Sequence, residues 1–214
     1  MKKILLYIIA IVALAFNAAA FAGDLPGSGY VEVKGIAEPD QSYSAGVRAA
    51  ELIAYRKAAE EIDQLQLDSD STVEQGKTLN DTIKTRLSTV LRRVKVIDEG
   101  KQPDGYYFAV VRVPLFGANS VASAVFQPNT TIEPFPQPKF PQPVSASGNT
   151  GYTGIIIDCR GLGLDTAMSP VIKNDSNQPI YGYKNLDYDV VIQQGMASYS
   201  YSLTENVARA GANP

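Results

Sequence analysis

The spacing of apolar residues changes several times along residues 28–116, and each change predicts a new element. Residues 30–36 alternate between apolar and polar side chains, as a half-buried strand does. From about residue 45 to residue 65 the apolar positions recur every three or four residues, which predicts an amphipathic helix. Its apolar stripe consists of Val47, Ala50, Ala54, Ala58, Ile62 and Leu65. The three central alanines favour close approach of this helix to a sheet.

A second helix and a hairpin complete this first module. The helix is predicted to start at Thr78, because Asp81 lies three residues later and nearly forms a capping box. The apolar stripe of this helix is Leu79, Ile83, Leu87, Val90 and Leu91. The period then becomes two over residues 94–98 and 106–113, with turn-forming residues between them, which predicts a β-hairpin. Residues 28–116 are therefore predicted to form an α+β module with both helices on one face of an antiparallel sheet.

Proline dominates the segment that follows, residues 117–150. Six prolines lie between residues 126 and 143, and they alternate with other residues over 134–138. Proline lacks an amide donor and favours extended polyproline conformation, so this segment is predicted to be a semi-rigid linker. A docking strip for an aromatic-lined groove is the alternative.

The last segment, residues 151–214, is predicted to be a small, mostly β module with a C-terminal helix. Residues 152–158 are rich in β-branched side chains, and residues 171–183 have the pattern of a second hairpin. Residues 188–192 and 197–201 are further candidate strands. Ser202 and Glu205 form a capping box for a short final helix, which Gly211 would end. The predicted fold class is α+β, with two small modules joined by a proline-rich linker.

The N-terminus has the pattern of an export signal. Lys2 and Lys3 precede an apolar run over residues 4–16, and Ala20-Phe21-Ala22 supplies the small-x-small pattern of a cleavage site. We therefore expect residues 1–22 to be a signal peptide of a bacterial exported protein, periplasmic or extracellular. An uncleaved membrane anchor is the alternative, although the run is short for a membrane span.

The amino-acid composition argues against nucleic-acid binding and against most enzymatic activities. The chain carries a net charge of −3 and has no histidine. An acidic surface argues against binding to nucleic acid. The absence of imidazole removes the commonest general base and the usual zinc ligand, so we expect no enzymatic activity, metal or cofactor.

Cys159 is the only cysteine, so no intramolecular disulfide can form. On the predicted strand Cys159 shares a face with Ile155 and Ile157, which favours a buried thiol that packs as a small hydrophobe. A disulfide to a partner chain is the alternative. Because no cysteine follows the predicted cleavage site, the chain is expected to lie near a membrane without a lipid anchor.

The candidate binding residues are in the last module. Asp158 and Arg160 alternate with Cys159 on the predicted strand and are followed by Gly161 and Gly163. We interpret the two charged side chains as partners of each other or of nearby loops, and the glycines as a bulge or sharp bend. A hydrolase that uses Asp158 is the competing interpretation. The tyrosines of this module are further contact candidates: Tyr181, Tyr183, Tyr188, Tyr199 and Tyr201.

Residues 48–62 (RAAELIAYRKAAEEI) and 105–115 (GYYFAVVRVPL) carry a family resemblance. Residues 28–116 resemble the superfamily that holds the N-terminal domain of flagellar assembly protein T and the small outer-membrane lipoproteins of the twenty-kilodalton type. The resemblance implies an envelope or flagellum-associated assembly component that is not an enzyme. We therefore expect partners among envelope or flagellar proteins. The Asp-x-Arg-Gly-Leu-Gly-Leu module resembles a C-terminal extension of uncharacterised secreted proteins, in which the chain continues further.

Overall fold

A three-stranded antiparallel sheet with a long helix across one face forms the N-terminal part of the fold. The computed structural model describes residues 29–136, 151–200 and 207–213, so the predicted signal peptide lies outside the described residues. The strands are β1 (Tyr30–Ala37), β2 (Lys95–Lys101) and β3 (Tyr107–Pro114), in the spatial order β1-β3-β2. The predicted first strand and the predicted hairpin are confirmed.

Helix α1 (Tyr43–Gln64) packs against β1 and β3 through the predicted stripe. All six residues of that stripe are buried. The approach is very close at Gly35, where an added Cβ would lie 2.0 Å from the carbonyl oxygen of Ala50 and 2.5 Å from the amide nitrogen of Ala54. The alanines and Gly35 together let the helix backbone lie almost directly on the strand.

The predicted second helix is two helices, α2 (Val73–Leu79) and α3 (Asp81–Arg92), so the start predicted at Thr78 is wrong. Thr72 caps α2 in a reciprocal capping box with Gln75. Asn80 then takes an extended backbone conformation, and its side chain accepts a hydrogen bond from the amide of Thr82 at the start of α3. Leu79 is 86% exposed because it belongs to the end of α2 and not to the face of α3. The rest of the predicted stripe is buried or half-buried.

A short helix that was not predicted, α4 (Val121–Val125), lies within the segment expected to be a linker. Ser120 and Ser123 cap it reciprocally, and four of its five residues are buried. This part of the segment contains no proline before Pro128, so nothing prevents regular structure there. Residues 132–136 have no regular structure, residues 137–150 lie outside the described residues, and the domain boundaries stay a prediction.

The C-terminal part is less sheet-like than predicted. The hairpin is present as β4 (Ile172–Lys173) and β5 (Pro179–Tyr181). The strand predicted over residues 188–192 is wrong: this segment is helix α5 (Tyr188–Gln194), because Asp187 caps its first turn by accepting from the amide of Val190. Residues 152–158 and 197–200 form no strand, and residues 202–206 of the predicted final helix lie outside the described residues.

One cluster of buried side chains connects the two parts. Val191 and Ile192 of α5, together with Met168 and Met196, belong to the same cluster as α4 and the inner face of the sheet. Met168 is 1% exposed, and its amide donates to the carbonyl of Gln66 at 2.9 Å. The C-terminal part therefore packs on the N-terminal part by way of α4.

Candidate functional site

The segment of residues 152–164, called here the apolar segment, exposes an unusual amount of hydrocarbon. Six large apolar side chains in it have half or more of their surface exposed: Tyr152, Ile155, Ile156, Ile157, Leu162 and Leu164. Scattered exposed apolar residues are ordinary, whereas exposed apolar patches mark interaction surfaces, and six such side chains in one short segment make it the candidate site.

Both ends of the apolar segment are held to the rest of the structure. At the first end, Thr153 donates through its hydroxyl to the carbonyl of Ala210 at 2.6 Å and exchanges bonds with the backbone of Asn213. Just beyond the second end, Tyr199 donates to the carbonyl of Ala167 at 2.9 Å, and Met168 enters the core. Exposure of the segment therefore occurs between two fixed points.

The Asp158 and Arg160 side chains pair with each other in the middle of this segment, as predicted. The Asp158 carboxylate accepts from Nε of Arg160 at 2.8 Å, from Nη2 at 2.7 Å and from the backbone amide of Arg160 at 3.1 Å. These hydrogen bonds lower the pKa of Asp158 to about 2. Since the two charges cancel, the apolar segment carries no net charge at neutral pH.

A tight turn follows the ion pair. The amide of Leu162 donates to the carbonyl of Cys159 at 3.1 Å, and Gly161 and Gly163 have φ angles of 78° and 63°. Side chains with a Cβ adopt these angles only at a cost, which explains the glycines and confirms the predicted bend. The expected burial of Cys159 rested on a strand that does not exist. Cys159 is half-buried, and the residues that were to share its buried face, Ile155 and Ile157, are exposed.

Tyr181 and Tyr183 make contacts within the chain. The ring of Tyr181 stacks on Phe135 with 6.4 Å between centroids, and its hydroxyl donates to the carbonyl of Met196 at 2.5 Å. Tyr183 packs against Phe126 and donates to the carbonyl of Gln127, and burial raises its pKa to about 12. Tyr188 and Tyr199 are half-buried as well, and Tyr201 lies outside the described residues.

Two asparagines that were not predicted to make structural contacts hold residues 127–135 against the C-terminal part. The side-chain amide of Asn129 donates to the carbonyls of Tyr183 and Leu186, at 3.1 and 3.3 Å. The side-chain amide of Asn185, which is buried, donates to the carbonyl of Glu133 at 3.1 Å. Each pair is more than fifty residues apart in sequence, and no local pattern could have indicated either contact.

The geometry of the described residues offers little to a catalytic mechanism. Asp158 is ionised and forms an ion pair with Arg160, so it is a weak candidate for a general acid or base near neutral pH. Within residues 29–136, 151–200 and 207–213, no three acids or cysteines come together as a metal site would require. In the same ranges, no helix has the length and hydrophobicity needed to cross a membrane.

Two family models match separate parts of the chain. Residues 31–114 match the LPP20 lipoprotein family, and residues 154–214 match the second domain of Treponema pallidum Tp0624. The first match supports the small-lipoprotein part of the resemblance and agrees with an exported envelope protein; the flagellar part has no such support. No curated protein and no solved structure matched the chain. The second match begins at residue 154, so most of the apolar segment lies within the region that is similar to the Tp0624 domain.

Proposed function

We propose that this protein is an exported, non-enzymatic component of the bacterial envelope that binds another envelope protein through the apolar segment. Its role on this proposal is structural or in assembly. A flagellum-associated partner is one member of this class and rests on the sequence resemblance alone.

The exposure of the apolar segment is the observation that carries the proposal. Burial of apolar surface contributes roughly 25 cal/mol per Å². A partner that covered the six exposed side chains would therefore gain a substantial part of its binding free energy from them. The Asp158–Arg160 pair adds no net charge to desolvate, and it is already hydrogen-bonded within the segment.

The fixed ends of the apolar segment also support a binding role. A segment held at Thr153 and at Met168 loses less conformational freedom on binding than a free chain does. The expectation that the protein is exported rests on the predicted signal peptide. Cell fractionation and N-terminal sequencing test this part, and the expected mature N-terminus is Gly23.

Binding is tested with the double variant Ile155→Ser/Ile157→Ser, both sites being more than half exposed. Tagged proteins are expressed at equal levels in the native host, and co-purifying envelope proteins are quantified. We expect the double variant to lose a partner that the unaltered protein retains, with unchanged circular dichroism and melting temperature. Leu79→Ser, which removes an apolar side chain that is 86% exposed from α2, is the control and should retain the partner. Equal recovery in all three samples would contradict the proposal.

Asp158→Asn separates binding from hydrolysis. If the protein is a binding component, this variant keeps the partner and no turnover is found for either protein against panels of ester, peptide and glycoside substrates. A turnover that the unaltered protein has and Asp158→Asn lacks, with the fold intact, would establish the hydrolase instead.

A further inference from the structure

Among the described residues, strand β1 lies at one edge of the sheet, and its backbone groups alternate in direction. Leu115 donates to the carbonyl of Gly29 at 2.9 Å, and these two residues are opposite each other in the register that pairs Val31 with Val113. Odd-numbered residues of β1 therefore direct their amide and carbonyl groups towards β3. On the other side of β3, the amide of Gln102 donates to the carbonyl of Tyr106. Even-numbered residues of β3 therefore direct their backbone groups towards β2, and odd-numbered ones direct theirs towards β1.

The even-numbered residues of β1 consequently direct their backbone groups away from the sheet. Within the described part of the chain, no recorded hydrogen bond reaches the backbone groups of Glu32, Lys34 or Ile36 from outside the ladder. The side chains of these three residues lie on the face opposite α1 and are exposed. An edge of this kind is a ready template for another strand.

The two edges of the sheet differ in how they are protected. Strand β2 has an irregularity between Val96 and Asp98, and it carries a charged side chain at four of its seven positions. Bulges and charges are the usual devices that prevent edge pairing. Strand β1 pairs with β3 over eight residues without a bulge or a proline.

We infer that β1 pairs in antiparallel fashion with β1 of a second copy of this chain, about a two-fold axis at Val33. Glu32 of one copy then lies opposite Lys34 of the other, and the reverse pair forms at the same time. A shift by one hydrogen-bonded step in either direction would place Glu32 opposite Glu32 or Lys34 opposite Lys34. Opposite charges across a ladder stabilise it and like charges destabilise it, so the charges of β1 select one register.

Backbone geometry agrees with this register. Glu32 and Lys34 both direct their amide and carbonyl groups outwards, so the two central pairs can exchange backbone hydrogen bonds. Glu32 already accepts from Arg112 at 2.7 Å through one carboxylate oxygen, Oε2, which leaves Oε1 for the lysine of the second copy. The pairing would join two three-stranded sheets into one continuous sheet.

Helix α1 packs against both β1 and β3 on the inner face, and antiparallel pairing of the two β1 strands would leave both copies of α1 on the same face of the joined sheet. This surface is separate from the apolar segment, and the inference does not depend on the proposed function.

Analytical ultracentrifugation of residues 23–214 over micromolar to millimolar concentration tests the inference. We expect a reversible dimer, weakened roughly tenfold to a hundredfold by Lys34→Glu because two attractive pairs become repulsive. Glu32→Lys should weaken it similarly, and an equimolar mixture of the two variants should restore dimers. Lys84→Glu, with the same charge change on an exposed position of α3, should dimerise normally. A protein that stays monomeric, or a dimer unaffected by Lys34→Glu, would overturn the inference.

Hydrogen exchange on the unaltered protein tests the register without any substitution. Protection of the Glu32, Lys34 and Ile36 amides should increase with protein concentration, whereas the Val31 and Val33 amides should be protected at every concentration. Dimerisation without added protection at these three amides would mean that another surface is used, and the inference would be wrong.

Discussion

Helix α1 and the apolar segment are both rich in hydrocarbon, yet their side chains are in opposite environments. The stripe of α1 is buried throughout, and its alanines contact the backbone of β1 at Gly35. In the apolar segment, Ile155 and Leu162 are 79% and 76% exposed. The number of apolar residues in a segment does not by itself determine whether they are buried. Their spacing matters, because apolar side chains that recur on one face of a helix or strand can all be covered by one neighbouring element.

The difference in burial between the helical region and the apolar segment is tested most strongly by making the same substitution in both. Leu87→Ala in α3 removes a side chain that is 1% exposed and should lower the free energy of unfolding by about 2–5 kcal/mol. Leu162→Ala in the apolar segment should change it by less than about 0.5 kcal/mol. Urea denaturation measures both, and similar losses at the two positions would mean that the apolar segment is packed.

A smaller effect is expected where α1 meets β1. Gly35→Ala places a methyl group against the backbone of Ala50 and should cost about 1–3 kcal/mol, because neither backbone can move without disturbing the core. Gly151→Ala adds a methyl group in open space and serves as the control. Thermal unfolding of the two variants checks the difference, and equal melting temperatures would argue against such a close approach.

Tyr183 tests the contact between the two parts of the chain. Tyr183→Phe removes the hydrogen bond to the carbonyl of Gln127 and should cost about 1 kcal/mol. The raised pKa of Tyr183 stabilises the fold below the ordinary value of 10, and this contribution is lost as the pH rises through about 12. In an ultraviolet titration, Tyr183→Phe should lose one tyrosine from those that ionise late, and Tyr152→Phe should retain it.

The smallest effect concerns the ion pair of the apolar segment. The pKa of Asp158 is lowered, so any stability it supplies is complete above the ordinary value of 3.8 and is lost as the pH falls through about 2. Both partners are well exposed, so Asp158→Asn should leave the melting temperature at neutral pH nearly unchanged. A carboxyl titration by NMR measures the pKa, and a midpoint near 3.8 would show that the pair does not persist in solution.

Segments whose apolar spacing repeats over many residues were predicted correctly, and elements that depend on a single capping side chain were not. The stripe of α1 and the alternation of β1 and β3 were predicted because each repeats over many residues. The break at Asn80 and the helix after Asp187 depend on single capping side chains, which outweighed the apolar spacing around them. In the candidate site, the Asp158–Arg160 pair and the glycine bend were local and could be predicted. The contacts of Asn129 and Asn185 join distant parts of the chain and left no pattern to recognise.

Site-specific photo-cross-linking in intact cells is the most direct test of whether the apolar segment binds a partner. A photoreactive amino acid is placed at position 156 in the apolar segment and, as a control, at position 88 on the exposed face of α3. We expect a discrete cross-linked envelope protein from position 156 that position 88 does not give. If position 156 gives no cross-linked product, or gives the same products as position 88, the apolar segment is not a binding surface.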